Sequence, residues 1–318
     1  MQFTTRVPIT QTENLIDYNS NVVSLGSCFA VNMGEKLDYF KFRNIINPFG
    51  ILFHPLAIEK FIGYALQQKQ FTEADIFYHN ERWHCFDAHS DLSSTDKNLL
   101  LTNLNAAVTT TQTALQNATH LIITLGTAWV YYHTKRNAFV ANCHKVPQKE
   151  FRKELLSPQV ITQSLKNILD RLQRANPGIK VIFTVSPVRH IKDGFTENQW
   201  SKANLISGLH EMLNTENYKR NTSYFPSYEI MMDELRDYRF YAPDMIHPNG
   251  IAIDYIWQRF AENYIDTRAD ATMKEIDAIQ KGLHHRPFNP NSEEHKVFLE
   301  KLQQRADKLK EKYPHISF

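Results

Sequence analysis

The sequence predicts an α/β protein in which helices cross over a central parallel sheet. Three observations support this: short apolar, β-branched runs recur, segments of helical spacing separate them, and no repeat, low-complexity tract or Gly/Ser linker divides the 318 residues. A chain of this length can bury one large core.

The first apolar run, NVVSL at 21–25, ends in Gly26-Ser27 and is followed by AVNMGEKLDYF, whose spacing is helical. Strand, tight turn and helix are expected in that order. Further strands are expected over 42–46, 121–125 (LIITL) and 180–185 (KVIFTV). Helices are expected over 55–68, 98–117 and 158–175, the last stopped by Asn176-Pro177-Gly178. Such alternation needs crossover connections, hence parallel strands. The stretch 70–96 is polar, aromatic and irregular, which suits an insertion over the sheet's edge or mouth. Beyond about Asn249 the chain becomes helical and highly charged, and its Glu and Lys spacing suits an amphipathic helix that docks on the domain or pairs with another subunit. The expected division is one domain over 1–255 and a charged helical extension over 256–318.

Hydrophobic residues make up 42% and charged residues 22%, the balance of an ordinary folded protein. Lys and Arg number 36 against 34 for Asp and Glu, so no broad field attracts a polyanion and nucleic acid is not an expected partner. Cys28, Cys85 and Cys143 are too few and too scattered for a disulfide framework. The first twenty residues hold no apolar stretch of signal-peptide length, and no later run reaches membrane length. A cytoplasmic location without a membrane partner is therefore expected.

The four expected strands run into atypical loops: Gly26-Ser27, Asn47-Pro48-Phe49-Gly50, Gly126-Thr127-Ala128-Trp129 and Ser186-Pro187-Val188-Arg189-His190. In an open parallel sheet the carboxyl ends of the strands converge on the crevice where ligands bind. A serine at a strand-to-helix turn exposes its hydroxyl where the helix N–H groups favour negative charge. It needs a base to become a nucleophile. Asp244 and His247 stand three residues apart before Pro248, so the aspartate can fix the imidazole tautomer and leave the other nitrogen to take the serine proton. The plain alternatives are that Ser27 caps a helix, that Asp244 caps the next one and that His247 is a turn residue. Cys28 is a rival nucleophile, but its side chain leaves the helix about 100° away from that of Ser27. His84-Cys85 and Cys143-His144, with His79 and His89, lack the ligand spacing of a zinc motif, so no metal is expected.

Gly26-Ser27-Cys28-Phe29-Ala30 spells the signature of the GSCFA domain family, a branch of the SGNH hydrolase superfamily. The resemblance continues through Asn47 to Gly50, Gly126 to Trp129, Asn142 to Lys145, Ser186 to His190, Tyr224 to Glu229 and Asp244 to His247, in order over roughly residues 20 to 255. It implies a flavodoxin-like three-layer sandwich and a serine esterase with Ser27, Asp244 and His247 as its triad. The Ser27 and Gly50 N–H groups would form the oxyanion hole. The asparagine that such hydrolases carry in a G-x-N-D block is absent here, where Gly126-Thr127-Ala128-Trp129 stands instead, so Thr127 or Asn142 would have to substitute. Asn47, Trp129, His144, Lys145, Arg189 and His190 are the substrate-binding candidates, and no cofactor is implied. The expected reaction is hydrolysis of an O-acyl ester through an acyl-serine, an O-acetyl group on a carbohydrate being what related enzymes suggest. A non-catalytic carbohydrate or acyl-binding module, or an acyltransferase using the same triad, are the alternatives.

Overall fold

A computed structural model describes residues 5–318; the first four residues, which begin both the expected domain and the segment read for a leader, lie outside the described residues. Five parallel strands make the central sheet: β1 (Asn21–Gly26), β2 (Arg43–Ile46), β5 (His120–Leu125), β9 (Lys180–Val185) and β10 (Thr222–Phe225). Their spatial order is β10-β9-β5-β1-β2. Counted among themselves, the sheet strands thus run 2-1-3-4-5, the flavodoxin-like order, whose switch point lies between β1 and β5. The expected three-layer architecture is present.

Successive residues of a strand face opposite sides of a sheet, and the two cores follow from that alternation. Val23, Leu25, Leu121, Ile123, Val181 and Phe183 point to one face. They pack against α2 (Pro55–Leu66), α3 (Lys97–Asn117), α4 (Pro158–Ala175) and α5 (Phe195–Leu213). Val22, Ile122 and Ile182 point to the other, covered by α1 (Cys28–Tyr39) and α7 (Gly250–Tyr264). Between β10 and α7, α6 (Ser227–Glu229) runs on into a π-helical turn over Ile230–Glu234. α7 runs through the boundary expected at 255, so the sandwich itself continues to Tyr264.

The chain then adds α8 (Asp270–Leu283) and α9 (Glu293–Lys312) on the α1 side. Leu302 of α9 sits against Gly282, Arg305 makes a two-pronged ion pair with Glu275 (2.6 and 2.8 Å), and Tyr313 lies 4.9 Å from Tyr18. The charged tail therefore docks on its own domain.

The 70–96 stretch contains the hairpin β3 (Phe77–His79) and β4 (Arg82–His84). It leans on the 47–52 loop, where His89 N–H donates to the Phe49 carbonyl (3.3 Å). A second, antiparallel sheet of β6 (Trp129–His133), β7 (Ala138–Val140) and β8 (Phe151–Leu155) separates β5 from α4.

Candidate active site

β1 ends at Gly26, where a φ of 136° and the nearby Thr124 carbonyl leave no room for a Cβ. That turn brings Ser27 to the N-cap position of α1 with an extended backbone. A capping serine accepts a first-turn N–H, but Ser27 makes no such bond. Its Oγ is buried with no partner among the described residues, and the residue is 1% exposed. Across the switch point, Gly126 leaves β5 so close by that a Cβ on it would stand 3.2 Å from the Ser27 Cβ and 2.9 Å from the Phe53 Cβ.

Asn47 follows β2 with a left-handed φ of 39°. Its N–H donates to the Ser24 carbonyl (2.9 Å), and its Oδ1 accepts the Gly26 N–H (2.8 Å). Its Nδ2 is buried with no partner among the described residues.

Asp244 to His247 form a tight turn with Met245 at a φ of 58°. Asp244 Oδ1 accepts the N–H groups of Ile246 (2.9 Å) and His247 (3.0 Å), and its Oδ2 accepts His247 Nδ1–H (2.6 Å). The His247 N–H, the Ile246 N–H and the imidazole together hold this carboxyl at about 2, so it is ionised at neutral pH. That fixes the imidazole tautomer and leaves Nε2 as an acceptor. Both side chains are about half exposed, whereas Ser27 is enclosed, and no hydrogen bond joins Ser27 to His247.

The same turn docks on the loop after β9. Arg189 donates from its guanidinium to the Met245 carbonyl and from its backbone to the Ile246 carbonyl (3.4 Å), and its guanidinium carbon lies 4.4 Å from the Tyr241 ring centre. His190 comes next, its Nε2 buried and unpartnered and its ring 6.5 Å from that of Phe53. Burial pushes His190 down to about 3, with the charges of Lys202 and His247 adding to the effect.

Lys202 was not visible as a site residue in the sequence, because a helical lysine is ordinarily a surface residue. Here it is 1% exposed on α5, and its Nζ donates to the carbonyls of Gly126 and Ser186, each at 2.7 Å. Burial brings it down to about 7 against the opposing influence of Cys28 and Glu229.

Several of the expected site residues have other partners in the structure. The Ser27 N–H donates to the Thr124 carbonyl (3.0 Å) and the Gly50 N–H to the Asn47 carbonyl (2.8 Å), so neither backbone donor is free for an oxyanion. Thr127 Oγ1 shares a bond with Ser201 Oγ (2.9 Å) and accepts the Trp129 N–H (3.0 Å). Asn142 Oδ1 closes a turn onto the His144 N–H (2.8 Å). His144 is buried, donates to the Cys85 carbonyl (2.7 Å) and lies 4.7 Å from the His84 ring, a packing role beside the insertion. Lys145 belongs to that same loop, its carbonyl bonded by His79 (3.3 Å). Trp129 Nε1 donates to the Glu197 carbonyl (3.1 Å) and ties β6 to α5. Burial raises the Cys28 thiol, which argues against a thiolate there. Asn47 lies beside Gly26, and Arg189 and His190 lie on the loop that docks on the 244–247 turn.

No helix among the described residues is long and apolar enough to cross a membrane. A comparison with curated proteins finds no match. Residues 21–260 match the GSCFA family and residues 276–318 match the GSCFA domain protein, C-terminal domain. With three quarters of its length so matched, the chain belongs to the GSCFA family.

Proposed function

We propose that the protein is an SGNH-type serine esterase that hydrolyses an O-acyl ester, with Ser27 as nucleophile, His247 as general base and then acid, and Asp244 orienting His247. The observation that carries this is the buried, unpartnered Ser27 hydroxyl at the switch point of a 2-1-3-4-5 sheet. A formed Asp244–His247 pair is carried on a turn docked to the loop that leaves β9 at the same sheet edge.

His247 Nε2 takes the Ser27 proton as Oγ bonds to the acyl carbon and the carbonyl π pair moves onto its oxygen. Collapse breaks the ester C–O bond, and the departing alcohol takes the proton back from His247. Water then attacks the acyl-Ser27 by the same route, releasing the carboxylic acid and restoring the serine. No bond joins Ser27 and His247 at rest. Catalytic bonds often tighten only in the complex. An O-acetylated carbohydrate is the substrate class that the family resemblance suggests.

The engaged Ser27 and Gly50 N–H groups favour one second reading, a carbohydrate or acyl-group binding module without turnover. A panel of acyl esters, including O-acetyl sugars, tested on the wild type and Ser27→Ala separates the two. Turnover that falls at least about 10³-fold in the variant supports the esterase, and unchanged turnover refutes it. Absent turnover with tight glycan binding supports the module. Turnover that appears only with an acceptor sugar identifies an acyltransferase.

A further inference from the structure

We infer that the side-chain amide of Asn47 is the oxyanion donor of this site, its Nδ2–H group receiving the charge that develops on the acyl carbonyl oxygen when Ser27 attacks. The inference rests on the proposed Ser27 chemistry.

Acyl transfer by a serine needs preorganised donors beside the nucleophile. The two backbone N–H groups expected to serve are bonded to the Thr124 and Asn47 carbonyls, and the Thr127 hydroxyl is held by Ser201 and Trp129. Asn47 is different. Its Oδ1 is anchored by the N–H of Gly26, the residue immediately before Ser27. A backbone N–H requires an acceptor, so this bond settles which end of the amide is oxygen and holds the nitrogen end beside the turn.

That nitrogen is buried and donates to nothing, as is the neighbouring Ser27 Oγ. Buried polar groups in folded proteins are almost always partnered, so two unpartnered ones on loops joined through Gly26 mark a place prepared for a ligand oxygen and carbon. The backbone holds the amide in place. Asn47 N–H donates to Ser24, Gly50 N–H to Asn47, and Leu52 N–H to the Gly26 carbonyl (3.1 Å), so the loop cannot turn the donor away without breaking its own bonds to β1. Asparagine also tolerates the left-handed φ of 39° that this loop requires. The first turn of α1 adds a favourable dipole for the negative oxygen.

Asn47→Asp removes the donor while a carboxylate still accepts the Gly26 N–H and tolerates the same backbone, and it adds a negative charge whose effect Asn47→Gly leaves out. With an ester that the wild type turns over, kcat is expected to fall about 10²–10³-fold with little change in KM. The melting temperature should stay within a few degrees of the wild type. Asn47→Gly, which also suits the backbone, should show a comparable loss of kcat and serves if the aspartate disturbs the loop. Retained kcat in a folded variant of either kind, with Ser27→Ala inactive, overturns the Asn47 role and leaves the Ser27 chemistry standing. A wild type that neither turns over esters nor reacts with a fluorophosphonate overturns both.

Discussion

Ser27 occupies a position where serines usually accept a first-turn N–H, and removing such a cap costs about 0.5–2 kcal/mol. Here the hydroxyl makes no bond and is shut away from water, so it is a burden on folding that chemistry would explain. Ser27→Ala, besides losing ester turnover, should therefore leave the melting temperature unchanged or raise it. A drop of several degrees would restore the capping role. The identity of the Asp244–His247 pair was legible because three-residue spacing forces proximity. The engagement of the Ser27 and Gly50 N–H groups was not legible. Whether a backbone N–H is free depends on which carbonyl the tertiary fold brings to it, and Thr124 lies 97 positions beyond Ser27.

At the scale of elements, three of the five sheet strands, β1, β5 and β9, announce themselves as apolar runs that become buried on both faces, while the edge strand β2 is only half-buried. The fifth, TSYF over Thr222–Phe225, is a half-buried edge strand with no such signature. β8 reads FRKEL and hides for the same reason, as does α5, whose polar residues are spread around the helix. Missing α5 meant missing Lys202, which joins that helix to the carboxyl ends of β5 and β9 through Gly126 and Ser186. Lys202→Met would keep the buried stem but strand two carbonyls, at a cost of about 2–4 kcal/mol. Urea unfolding measures it. A variant as stable as the wild type would mean that these bonds contribute nothing.

For the whole molecule, three imidazoles in separate regions are held neutral by burial. His54 at the start of α2 and His144 beside the insertion are each pushed down to about 4, and His190 on the loop after β9 to about 3. An unfolded histidine titrates near 6.5. Between that value and about 4 the unfolded chain binds protons that the native state refuses, so stability is full above pH 6.5 and is lost as pH falls. Each site contributes on the order of 1 kcal/mol per pH unit within the window. The melting temperature should fall steadily from pH 6.5 to 4.5. His144→Gln, which keeps a donor for the Cys85 carbonyl, should shallow the slope. A melting temperature constant across this range would contradict the burial of these rings. The C-terminal charge pattern was legible as a helix, but its partner was not, because the apolar stripe of Leu302, Ala306 and Leu309 fits any complementary surface equally well from sequence alone.

The proposal that Ser27 is a nucleophile activated by His247 is tested most directly by mapping the adduct of a fluorophosphonate probe by peptide mass spectrometry. The expected result is one equivalent of label on Ser27 in the wild type, strongly slowed labelling in His247→Ala and none in Ser27→Ala. Label on Cys28 or elsewhere, or wild-type labelling that His247→Ala leaves unchanged, would contradict it.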